Sequence, residues 1–139
     1  MAFNYSAGLG AVGSYQVSGK PFVSGSIDPG AMPSPPFRLQ FPSVTRWVVV
    51  RNIDPDTGAD LACAFSQNGL PSMGGTNHFT LDDAGASLVD QTLSMELKVG
   101  EMWFEGSGNG CREFDVIAGL TGINVNEIPN NWSGSAGVG

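Results

Sequence analysis

The feature that most constrains this chain is a hydrophobic repeat of two residues. In Leu93-Ser94-Met95-Glu96-Leu97-Lys98-Val99 every odd position is apolar and every even one polar. A strand places alternate side chains on opposite faces, whereas a helix would set Met95 and Leu97 on nearly opposite sides. Phe37, Leu39 and Phe41 alternate in the same way with Arg38 and Gln40, and Phe114, Val116 and Ala118 with Glu113 and Asp115. Ile117 makes that last strand apolar on both sides. Leu61, Cys63 and Phe65 alternate with Ala62 and Ala64, which leaves the opposite face small and suited to close contact with another surface.

Residues 44–52 are rich in β-branched side chains, with Trp47 and Val49 on one side and Val48 and Val50 on the other. Apolar residues facing both ways predict a strand that is central or covered. Asp54-Pro55-Asp56-Thr57-Gly58 follows. Proline presets φ, aspartate bonds the local backbone and glycine takes positive φ, so strands 44–52 and 60–66 are expected to pair as an antiparallel hairpin. Further strands are expected near 13–18, 21–27, 77–81 and 101–105, about eight or nine in all. No segment has the pattern of an amphipathic helix, and Gly85 weakens even a turn over Leu81–Val89. The expectation is an all-β, single jelly-roll-like antiparallel β-sandwich, with an immunoglobulin-type sandwich second.

Length and composition fit one domain. The chain has 139 residues, and its 20 glycines and nine prolines make up about a fifth of it, against roughly 12% in an average protein. Only 14% of residues are charged, and the formal net charge is −7. Disordered chains are apolar-poor and charge-rich, whereas 41% of this one is hydrophobic. The six cations, Lys20, Arg38, Arg46, Arg51, Lys98 and Arg112, do not cluster, which argues against direct nucleic-acid binding. The longest apolar run, Leu61–Phe65, is far short of the ~20 residues of a membrane-spanning helix, so no membrane insertion is expected. Met1–Ser6 lacks the basic and apolar regions of a secretory signal. A reducing site of synthesis follows as the expectation, with Cys63 and Cys111 as free structural thiols, though pairing stays open if the fold joins them.

The ends differ from the middle. Residues 5–19 are rich in Ser, Gly and Ala with Tyr5, Leu9, Val12, Tyr15 and Val17 interspersed, and residues 130–139 carry Trp132 among small residues. The division expected is an N-terminal arm over 1–20, a sandwich over 21–123 and a C-terminal arm over 124–139. The prolines at 29, 33, 35 and 36 mark a stiff connection.

No catalytic, cofactor or metal set emerges. His78 is the one histidine and has no nearby Gly-x-Ser-x-Gly, and Cys63, His78 and Cys111 lie too far apart in sequence for a zinc motif. Asp54, Asp56 and Asp60 miss the calcium-loop spacing, because Gly58 stands at the fifth place. Glu101 and Glu105 share a strand face with Trp103, but at a rise of ~3.3 Å per residue they are about 13 Å apart. Glycosidase carboxylates sit ~5–9.5 Å apart, so a solvated or subunit-facing strand face is the better reading. Tyr5, Tyr15, Trp103 and Trp132 are the candidate interface residues, since aromatic side chains dominate interface energetics.

The stretches Gly13–Ile27 and Asn131–Gly139, with Phe41–Trp47 and Val116–Ile123 between them, resemble small structural proteins of double-stranded DNA virus particles. The resemblance implies a single jelly roll acting as a vertex (penton), minor capsid or cement/decoration component. It implies copies of itself and the major capsid protein as partners, synthesis in the host cytoplasm and residence in the virion. Residues 1–20 and 124–139 would then dock on neighbours. The competing reading on the same fold is a host-recognition or carbohydrate-binding module, with Trp103 and the 66–76 loop as a glycan platform.

Overall fold

The computed structural model describes residues 20–29, 36–56, 58–82, 91–108 and 113–127. Eight strands form within them: β1 (Lys20–Ile27), β2 (Phe37–Gln40), β3 (Thr45–Asn52), β4 (Ala59–Ala64), β5 (Phe79–Leu81), β6 (Gln91–Met95), β7 (Glu101–Gly108) and β8 (Phe114–Leu120). Two four-stranded antiparallel sheets result, with orders β1-β8-β3-β6 and β2-β7-β4-β5. The helical turns among the described residues are three short 3-10 segments, Gln67–Gly69, Pro71–Met73 and Val125–Glu127. The expected strand over 13–18, the turn within 83–89, the proline-rich 30–35 and Cys111 lie outside the described residues.

Alternation sets the core. From the first sheet Val48, Val50, Phe114, Val116 and Ala118 point inward, and from the second Leu39, Leu61, Cys63, Leu81, Met102 and Phe104. Phe104 and Phe114 meet across the gap with ring centroids 4.6 Å apart, and Phe22 lies edge-on to Phe41 at 5.3 Å. Cys63 is a free thiol buried within this layer. As its two apolar faces predicted, β3 is an interior strand, between β8 and β6.

The expected hairpin between residues 44–52 and 60–66 does not form, because β3 and β4 belong to different sheets. The Asp54–Gly58 turn carries the chain over the end of the sandwich. Asn52, fully buried, holds that corner: its Nδ2 donates to the carbonyls of Ala59 (2.9 Å) and Leu81 (3.0 Å), and its Oδ1 accepts the Asp54 N–H (3.0 Å). Asp54 then accepts the N–H of Asp56. The aspartates therefore build a turn, but one that changes layers.

The strand expected over 93–99 also ends early, at Met95. Residues beyond it leave the first sheet and keep an alternating pattern because Leu97 and Val99 still pack on the core as the chain crosses over. Buried Thr45 clips this passage: its hydroxyl donates to the Leu97 carbonyl (2.8 Å) and accepts the Val99 N–H (3.1 Å). At the same end Thr121 Oγ1 donates to the Val44 carbonyl (2.7 Å) and accepts from the Ile123 N–H (3.2 Å).

Asn52→Ala leaves two buried carbonyls and one buried N–H without these partners. The expected loss of stability is about 3 kcal/mol, measured by urea unfolding, with the same all-β circular dichroism in the folded baseline.

Candidate functional site

The two outer faces of the sandwich are treated differently by the chain. On the second sheet, Asp60, Ala62 and Ala64 of β4 lie beside Ser107, Glu105 and Trp103 of β7. The small side chains expected to receive another surface receive the protein's own 66–76 loop. Leu70 is fully buried there against Ala62 and Ala64, with Trp103 half-buried at the edge. The loop is closed on itself: Gly74 takes φ 73°, the Gly75 N–H reaches the Leu70 carbonyl, and a Cβ on Gly75 would stand 2.1 Å from the Asn68 carbonyl oxygen.

Glu105 lies under this loop and is 2% exposed, contrary to the open strand face expected for it. One carboxylate oxygen, Oε1, accepts the Ser72 N–H at 2.8 Å, and the other, Oε2, is buried with no hydrogen-bond partner among the described residues. Glu101 instead pairs with Arg38 at the rim, and the Arg38 guanidinium stands 5.7 Å over the Trp103 ring. The two glutamates thus serve separate structural contacts. Trp103 has Arg38 over its ring and the Leu70 cluster against it, so only part of its surface faces outward. Tyr5, Tyr15 and Trp132 lie outside the described residues.

His78 is not isolated: its Nδ1 is 2.8 Å from the Gly69 carbonyl and ties β5 to the loop. Beside it, Ala64, Phe65, Thr76, Asn77, His78 and Phe79 line an open groove of about 450 Å³. No group of three metal-ligating side chains occurs among the described residues.

The outer face of the first sheet bears no such loop among the described residues. Cross-strand register places Val23, Ile117 and Val49 in one row over three strands, with exposed Ser94 at its end. The next row is Pro21, Gly119 and Trp47. Trp47 lies flat over Gly119, where a Cβ would stand 2.4 Å from the indole Nε1, so a glycine is required. Val23 is 67% exposed, and Ile117, Val49 and Trp47 are half-buried. The third row is polar: Arg51 Nη2 meets Asp115 Oδ2 at 2.8 Å, and Asp115 Oδ1 accepts the N–H of Ser26, whose φ of 51° marks a bulge in β1. Sequence alternation had exposed Trp47, Val49 and Ile117 as a second apolar face, but Val23 and Pro21 join them only through the β1·β8 register.

Comparison of the chain with protein-family models, curated proteins and solved structures returned no significant match.

Leu70→Ala removes the side chain that seats the 66–76 loop. The expected cost is about 2–5 kcal/mol, with faster limited proteolysis between residues 66 and 76 than elsewhere in the sandwich.

Proposed function

We propose that this sandwich is a jelly roll and that the protein is a non-enzymatic structural component of a virus capsid shell. It acts as a vertex, minor capsid or cement/decoration subunit. The observation that carries the reading is the apolar outer face of the first sheet, which bears no covering loop among the described residues. Solvated sheet faces alternate to polar residues, and here two consecutive outward rows are apolar. A protein that spends its working life packed against neighbours has use for such a face. The strand pairing supports the fold: β1 pairs with β8, β2 with β7, β3 with β6 and β4 with β5, the nesting produced by rolling up one long hairpin. Jelly rolls have eight strands in two sheets and recur in viral capsids.

The partners in this reading are further copies of the chain and the major capsid protein. A net charge of −7 and unclustered cations support a position in the shell, away from direct contact with nucleic acid. Its location is the virion, after synthesis in the host cytoplasm. Truncation after Ile128 is expected to leave thermal unfolding unchanged while the protein disappears from purified particles. Normal incorporation of the truncated chain would overturn the reading.

The groove between Phe65, Asn77, His78 and Phe79 favours a second reading, a host-recognition or carbohydrate-binding module on the virion. In that case Trp103→Ala, which loosens the adjoining loop, abolishes binding on a glycan array and leaves assembly intact.

A further inference from the structure

We infer that the apolar outer face of the first sheet is a receptor for the N-terminal segment, residues 1–19, of a neighbouring copy. The inference rests on the capsid reading above and names the surface and the occupant through which copies would join.

The size of the face selects an extended segment. The apolar part spans three strands about 4.8 Å apart and two outward rows about 6.6 Å apart along them, a patch of roughly 200 Å². A standard protein–protein interface needs about 800 Å² from each partner, so two such faces pressed together would fall well short. An extended stretch of five or six residues spans about 17–20 Å and covers a face of this size. Within the face the Trp47 indole lies over Gly119, in the place a side chain there would take.

The chemistry selects the N-terminal segment. Residues 1–19 contain no Asp, Glu, Lys or Arg, so burying them against Val23, Ile117, Val49 and Trp47 leaves no charge desolvated. Within them Tyr15 and Val17 alternate with Ser14, Gln16 and Ser18, which puts both apolar side chains on one side of an extended strand. The C-terminal residues 128–139 are also uncharged but have no such alternation around Trp132.

Geometry favours a neighbour's segment over the chain's own. Lys20, the first described residue, is paired with Leu120, the last residue of β8. Returning over its own face would take a reversal together with a climb of about 10 Å, the spacing of packed layers, which at ~3.3 Å per residue uses up three residues. Nineteen extended residues reach about 60 Å, ample for an adjacent subunit.

The test uses the full chain with a photo-reactive phenylalanine analogue at Val23, an exposed apolar residue of the face, and at Thr80 on the opposite sheet as a control. Isotope-labelled and unlabelled chains are mixed under assembling conditions, irradiated, and the adducts mapped by mass spectrometry. The expected result is Val23 adducts joining labelled to unlabelled chains through residues 1–19, with none at Thr80, and loss of these adducts on Ile117→Glu. Adducts within one chain, adducts to residues 128–139 or to another sandwich, or none at all, overturn the inference. Sedimentation of the same samples separates the two levels. Oligomers without the Val23 adduct defeat only the receptor, whereas a chain that stays monomeric and is absent from particles defeats the capsid reading as well.

Discussion

The structure depends on buried side chains that satisfy the backbone where the chain changes sheets. Of the seven connections between consecutive strands, only β4 to β5 stays within one sheet. Where a step between sheets passes the end of an apolar core, an unmet N–H or carbonyl costs about 1–3 kcal/mol. Asn52, Thr45 and Thr121 meet this need at three places. All three are buried, and each bonds main chain far from itself or on the far side of a turn. With those corners fixed, the period-two alternation of every strand points the same set of side chains into the gap.

Much of this was legible before any coordinates. Alternation located most strands and their inward residues, since a strand with one apolar face has only one way to point it. The layer assignment was not legible: Asp54-Pro55-Asp56-Thr57-Gly58 has the chemistry of a turn, and turn chemistry does not distinguish a return within a sheet from a step to the opposite one. Nor did it show what lies on the small face of β4. Leu70, in a stretch of Gly, Pro, Ser and Asn, has no period of its own, and its burial follows from how the loop folds back. Glu105 was misplaced for the same reason, because a carboxylate on an outward position looks solvated until something covers it.

The two sheets solve one problem in opposite ways. The second sheet shields its small outer face with its own loop, fastened by Leu70, by the Ser72 contact to Glu105 and by His78. The first sheet instead carries apolar outward rows bordered by the Arg51–Asp115 pair. Among the described residues, one sheet is thus sealed by the protein's own loop and the other is not.

The pairing of β1 with β8 also bears on timing. Lys20 pairs with Leu120, a hundred residues later in the chain, so β1 has no ladder partner among the described strands until β8 has been synthesised. Contacts of such long range close late. Val23 and Pro21 join Ile117 and Gly119 in their rows only when that closure happens, and the apolar face does not exist as a surface before it. A chain cut short of β8 therefore cannot present the face.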